Sequence, residues 1–297
     1  MDLLFSLLVK IIPYIFIGWI FTKLSADSSG GKNAELFVNY FVNFALYLLI
    51  PIFIFFAMWS APLSENITNT KSVIFAVITV CFFGILFALL HSKIFKTDFR
   101  DVALPIIFMN SAYLAIPLNT IFFGKDGTFY AIIYNIILTV LHFTFGLRIV
   151  SGSLKEIFRL PVLYFAFFGI FLNLTGIKLS VGLLHFSEIL SSVTLPVMLC
   201  LVGYQIQAVS VSALKKVFAG VFFRMFGGLI VAYIFCKVFN ITGVVKGVCL
   251  LTSSMPSAVN TYILNKKYDA DYSFASSMIT VGLVMTLIVI PVVLWLK

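Results

Sequence analysis

Long apolar runs follow one another along the chain, separated by short polar stretches. A bilayer core takes about 20 apolar residues per α-helix. By that ruler the pattern predicts ten spans, near residues 3–24, 35–59, 71–95, 101–123 and 128–150, then 160–177, 186–208, 214–239, 244–266 and 272–296. The first run is too long for the apolar part of a secretory leader and no basic stretch precedes it, so a membrane helix is expected there. The short connections leave no room for a separate soluble domain, and the whole chain, 1–297, reads as one membrane domain.

Four of the runs carry a proline, and the prolines fall in matching places. ALYLLIPIFIFF surrounds Pro51 in the second run and SSVTLPVMLCLV surrounds Pro196 in the seventh; MNSAYLAIPLNT holds Pro117 in the fourth and SSMPSAVNTY holds Pro256 in the ninth. The chain advances about as far from Pro51 to Pro117 as from Pro196 to Pro256. Spans one to five therefore read as a copy of spans six to ten. Five is odd, so the two copies enter the membrane upside down relative to each other. Inverted repeats with interrupted helices in corresponding positions mark secondary transporters. The predicted fold class is an all-α polytopic membrane protein, ten transmembrane helices in two inverted five-helix repeats, with helices four and nine broken and crossing.

A proline inside a helix removes one hydrogen bond, and in lipid the freed carbonyl needs a partner or a water-filled cavity. Pro51 and Pro196 have no polar company and read as kinks. Pro117 is surrounded by Asn110, Ser111, Asn119 and Thr120, and Pro256 by Ser253, Ser254, Ser257, Asn260 and Thr261. Two unwound segments related by inversion should cross near the bilayer midplane. Half-helix N-termini there favour an anion, and the two asparagines can donate and accept. The candidate substrate-binding set is Asn110, Ser111, Pro117, Asn119, Pro256, Ser257, Asn260 and Thr261.

Other polar residues inside spans have two readings each. Asn39 and Asn43, Asn135, and Gln205 and Gln207 are candidates for the substrate path or for hydrogen-bonded glue between helices. For His142 a hydrogen bond to a neighbouring helix is favoured over a proton relay. Arg224, about ten residues into the eighth span, is either functional or snorkels to the cytoplasmic face, with snorkelling favoured; Lys10 reads the same way toward the outside.

Composition settles the class. The chain is 62% hydrophobic and 10% charged, against about 45–50% and 25% for soluble domains, so it is read as an integral protein of the cell (inner) membrane. The formal net charge of +9 comes from basic residues in short loops, which excludes a nucleic-acid partner. Odd-numbered connections hold about twice the Lys and Arg of the even ones, which puts both termini outside the cytoplasm. Cys81, Cys200, Cys236 and Cys249 all lie in apolar runs with no metal-ligand spacing, so buried inert thiols are expected and no metal or cofactor. The few acidic residues in or near spans (Glu35, Asp101, Glu188, Asp271) sit at span ends. Their placement argues against an antiporter built on paired aspartates. No HExxH or facing Ser/His pair supports an enzyme; an intramembrane enzyme or sensor is the remote alternative.

NSAYLAIPL resembles the fourth-helix motif of the auxin efflux carrier family, in which an asparagine precedes the crossover proline by seven positions, as Asn110 precedes Pro117. MPSAVNTYILNKKYDADYSFASSMITVGLVMTLIVIPVVLWL resembles the ninth and tenth helices of the same family, including Lys266, Lys267, Tyr268 and Asp271. The resemblance implies kinship with bile-acid/sodium symporters, a scaffold from 1–64 and 160–210, and a moving transport domain from 65–159 and 211–297. It also implies elevator-type export or exchange of small organic anions, from auxin-like acids to malonate- or malate-like ones, and a homodimer through the scaffold helices. A sodium- or proton-coupled symporter of the bile-acid type is the alternative. Only Ser151–Arg159 joins the halves, so the long central loop of plant carriers is absent and a compact prokaryotic type is implied.

Overall fold

The computed structural model describes Val9, residues 11–26, Leu36, and residues 40–61, 67–150, 160–204, 206 and 214–297. These are helical almost throughout, and among the described residues the β structure is an isolated antiparallel bridge between Met109 and Ser257. Six helices are long and apolar enough to cross a bilayer: Tyr40–Trp59, Ile67–Phe95, Ala115–Val150, Val181–Tyr204, Leu214–Val238 and Tyr272–Leu296. Shorter apolar helices cover Ile12–Thr22, Pro161–Leu174 and Gly243–Ser253. Six rather than ten meet the length rule because the first and sixth predicted spans form the shorter helices Ile12–Thr22 and Pro161–Leu174 and two others, the fourth and ninth, are split. The fourth becomes Phe99–Ile107 and a helix starting at Ala115, which then turns at Gly124 (φ 64°) into the fifth. The ninth becomes Gly243–Ser253 and Val259–Lys267. Lys10, Asn39, Gln205 and Gln207 lie outside the described residues.

The chain divides into two compact units, Met1–Ile67 with Leu160–Ile206, and Thr68–Arg159 with Gln207–Lys297. In the first, α1 (Ile12–Ala26) packs on α7 (Val181–Tyr204), and α2 (Ile50–Trp59) packs on α6 (Pro161–Leu174). The α1–α7 contact is main chain on main chain. A Cβ on Gly18 would collide with the Cys200 carbonyl, and one on Gly203 with the Ile15 carbonyl. Lipid tails are as apolar as side chains, so close backbone packing of this kind holds membrane helices together. Thr22 Oγ1 adds a hydrogen bond to the Tyr204 carbonyl at 2.8 Å.

At the α2–α6 contact, Phe55 stacks on Phe168 and meets Phe165 edge-on. The last carbonyls of α2 are closed by a side chain: Asn173 Nδ2 donates to Trp59 O at 2.7 Å and Ala61 O at 2.6 Å. The helix runs on through Pro51, which follows a widened π turn at Ala45–Leu49. That extra width accommodates a ring that would otherwise strike the carbonyl four residues back. Pro196 sits inside the unbroken α7. Both prolines thus lie within continuing helices rather than at breaks.

The second unit contains α3 (Ile67–Phe95), α4 (Phe99–Ile107) and α5 (Ala115–Leu141), the last prolonged by a π turn His142–Gly146 and Leu147–Val150. After it come α8 (Leu214–Phe222), the π turn Phe223–Gly227, α9 (Gly228–Val238), α10 (Gly243–Ser253), α11 (Val259–Lys267) and α12 (Tyr272–Leu296). Helix α3 shows the inside-out logic of a bilayer: Val73, Ala76, Val77, Gly84 and Ala88 are buried, while Phe75, Ile78, Phe82 and Leu89 are exposed. Two helix starts carry polar caps. Asp98 Oδ1 accepts from Arg100 N at the start of α4, and Asp271 Oδ1 from Phe274 N at the start of α12.

The α1–α7 contact is the most sensitive to added volume. Gly203→Ala should destabilise the protein by about 1–3 kcal/mol through overpacking, read as a lower unfolding midpoint in a detergent denaturation titration. Gly182→Ala, where nothing lies within 4 Å of the added carbon, should leave the midpoint unchanged.

Candidate functional site

The two helix breaks meet in the second unit. Residues 108–114 separate α4 from α5, and residues 254–258 separate α10 from α11. Phe108 and Ala258 are both extended, and the strands they begin and end run antiparallel. Asn110 N donates to Pro256 O at 2.7 Å, and Ala258 N donates to Phe108 O at 2.9 Å. Each break thus satisfies main-chain groups that the other leaves open, which hydrocarbon would not do.

Prolines shape both sides of this junction. Pro117 is the third residue of α5, a first-turn position where a proline is tolerated. Pro105, inside α4, is different: it cannot bond to the carbonyl of Asp101. Asn265 Nδ2, at the end of α11, donates to that carbonyl at 3.1 Å and to Asp271 O at the same distance. Pro105's own carbonyl accepts from Ser257 Oγ at 2.6 Å. Two ends of one broken helix are therefore tied to the other.

Arg224 closes the carbonyl ends. It projects from the π turn of the eighth span and is 1% exposed. Its Nη1 donates to Ile107 O at 2.6 Å and Ile106 O at 3.2 Å, and its Nη2 to Ser253 O at 2.8 Å. Ile107 ends α4 and Ser253 ends α10, so one cation sits at two helix C-termini, where the partial negative charge of the helix dipole collects. The favoured expectation that Arg224 snorkels to the cytoplasmic face is corrected. Three carbonyl acceptors at hand remove the reason to reach for water. Gly228 makes room, since a Cβ there would collide with the Ser253 carbonyl and the guanidinium.

The N-terminal ends are arranged differently. Asn110 Oδ1 accepts from Leu114 N at 3.3 Å, and among the described residues no acceptor engages its amide nitrogen. Asn260, half-buried in the first turn of α11, has no side-chain partner among the described residues. Two helix N-termini, at Ala115 and Val259, are thus accompanied by asparagine amides still able to bond a ligand. Such ends favour an anion.

The remaining candidates sort by partner. Ser111 Oγ donates to Asn135 Oδ1 at 2.8 Å, joining two of them. Asn119 is committed inward: its Nδ2 bonds Ala115 O at 2.8 Å and Thr252 Oγ1 at 3.0 Å, while its Oδ1 has no partner. Thr261 Oγ1 donates to Ala258 O. His142 is buried, but the expected hydrogen bond to a neighbouring helix is not made by its Nε2. The ring instead stacks on Phe108 at 4.2 Å and 2°, which ties it to the break by contact. Asn43 is exposed and belongs to the first unit, so it does not join this cluster.

Five residues that the sequence pattern did not single out help build the site: Pro105, Phe108, Tyr134, Thr252 and Asn265. Tyr134, fully buried, bonds Ser253 Oγ at 2.9 Å through its hydroxyl. A second proline twelve residues before Pro117 was a visible signal for Pro105; the others had none short of the fold. All four cysteines are free, and Cys200 is only half-buried. Among the described residues no three His, Cys, Asp or Glu side chains gather as metal ligands.

Long apolar helices surround an interrupted polar centre that holds one buried guanidinium. The family described as "Membrane transport protein" matches residues 147–294. An uncharacterized transporter of Methanocaldococcus jannaschii is 30% identical over 278 residues, covering 86% of this chain and 88% of that protein. The chain belongs to this family, the auxin efflux carrier family of membrane transporters, and is an integral membrane protein.

Arg224→Met would leave the α4 and α10 carbonyls buried without a donor. It should cost about 3 kcal/mol or more, while Arg224→Lys, with fewer and less spread donors, should recover only part of the loss. Denaturation midpoints of the two purified variants in detergent check this ordering.

Proposed function

We propose that the protein is a secondary carrier of small organic anions, carboxylates above all, that exports or exchanges them by elevator-type alternating access. The substrate site is the N-terminal side of the junction between the two broken helices. The observation that carries the reading is the pairing of two antiparallel breaks with uncommitted Asn110 and Asn260 amides beside two helix N-termini. Asn110 and Asn260 orient the carboxylate; Ser111, Ser257 and Thr261, with Asn119 and Asn135 behind them, hold the surrounding main chain in shape.

The inverted ten-span architecture belongs to the same reading and draws support from the contacts. Exchanging span one with six and two with seven turns the α1–α7 pair into the α6–α2 pair, and both pairs are present. The junction behaves likewise: Asn110 bonds Pro256 while Ala258 bonds Phe108. The division into two compact units supports a scaffold and a moving transport domain. Basic residues concentrated on the odd-numbered connections support external termini. Sodium coupling at the broken helices is disfavoured because Arg224 already engages the carbonyls that would bind a cation.

Two measurements test this. Adding malate, malonate or indole-3-acetate to the detergent-purified protein should raise its unfolding temperature for at least one acid, since a ligand at 100 times its Kd stabilises by about 2.7 kcal/mol. In proteoliposomes, Asn110→Ala and Asn260→Ala should each lower flux of that acid about tenfold, the loss of roughly one charge-assisted hydrogen bond. Wild-type flux from both variants would remove the site from this junction.

A further inference from the structure

Of the Lys, Arg, Asp and Glu side chains among the described residues, Arg224 is the one that is buried. Its hydrogen bonds go to three carbonyls and to no carboxylate. Carbonyl dipoles hold a cation in place without cancelling its unit charge, and a guanidinium keeps its proton in proteins. Arg224 lies ten residues beyond Leu214 in the 25-residue helix Leu214–Val238, so about 15 Å along an axis of about 36 Å. Every acceptor it uses is in the second unit, and any movement of that unit carries the charge with it.

We infer that Arg224 is the buried charge on which the membrane potential acts: with a monocarboxylate bound, the buried core of the second unit moves electrically neutral, and empty it moves with one positive charge. The inference rests on the carrier reading above and adds which step of the cycle carries the charge. With the cell interior negative, the outward step with cargo moves no net charge. The empty unit then returns inward with its positive charge, down the potential. One anion leaves per cycle, and the charge movement is that of one cation entering on the return step. A full elementary charge biases that step by up to about fifty-fold per 100 mV. No co-ion is needed for export, and import is opposed at the same step, because the empty unit must then carry its charge outward.

The test uses the full chain in proteoliposomes, with the potential set by a potassium gradient and valinomycin, and protein-free liposomes as the blank. Labelled indole-3-acetate is the monocarboxylate probe. Exchange, with the acid saturating on both sides, uses only loaded steps; net efflux into acid-free buffer also needs the empty return. For the wild type, moving from 0 to about −100 mV should leave exchange unchanged and raise net efflux several-fold. Arg224→Gln should make exchange potential-dependent as well, because the loaded step then carries the anion's charge, and Arg224→Lys should retain the wild-type pattern. Exchange as steeply dependent on potential as net efflux, or net efflux indifferent to it, overturns the inference on wild-type protein alone, whether or not Arg224→Gln folds. A wild-type pattern in Arg224→Gln also overturns it. Exchange of malate but not indole-3-acetate overturns the monocarboxylate charge balance and leaves the carrier reading standing. Exchange of none of malate, malonate and indole-3-acetate overturns both.

Discussion

Hydrocarbon offers no hydrogen bonds, so a helix broken inside a membrane must find partners for every group it frees. That constraint governs the second unit of this protein. The break at residues 108–114 and the break at 254–258 bond each other's main chain through Asn110, Pro256, Ala258 and Phe108. Ser257 takes up the Pro105 carbonyl, Asn265 the Asp101 carbonyl, and Arg224 the last carbonyls of α4 and α10. Neither broken helix satisfies itself. Together they leave a polar junction in which most groups are spoken for.

The groups not spoken for are as informative as the bonded ones. At the carbonyl ends a buried cation is already in place; at the amide ends, Asn110 and Asn260 retain donors beside two helix N-termini. The junction therefore has one side whose carbonyls are filled by a guanidinium and one open side, where helix N-termini favour an anion. A site of this kind binds an anion without a lysine or arginine reaching it.

The first unit is built by different means. Its helices meet through glycine, as at Gly18 and Gly203, and through aromatic stacking around Phe55. Its polar contacts, Thr22 to Tyr204 and Asn173 to Trp59 and Ala61, close helix ends. The second unit concentrates buried amides, hydroxyls and the guanidinium at the junction. Main-chain groups freed at a helix break would otherwise face lipid, which is why the second unit needs these bonded partners and the first, with continuous packed helices, needs fewer.

Much was written in the order of residues. Apolar runs of bilayer length determined a membrane protein, and the polar neighbours of Pro117 and Pro256 marked where helices break rather than bend. No asparagine stands near Pro51 or Pro196, and the helices run on through both; these are local properties that proline chemistry and neighbouring side chains decide. Long-range partners were not legible. That Arg224 turns inward to helix ends more than one hundred residues away in sequence from it at Ile106 and Ile107, rather than outward to water, depends on where α4 and α10 stop in space. The same holds for Asn265 closing the gap that Pro105 opens, and for His142 stacking on Phe108. Sequence alone determines which groups are left without partners; only the tertiary structure decides which distant groups supply them, because a hydrogen bond or a ring contact depends on position within a few ångströms and not on separation along the chain.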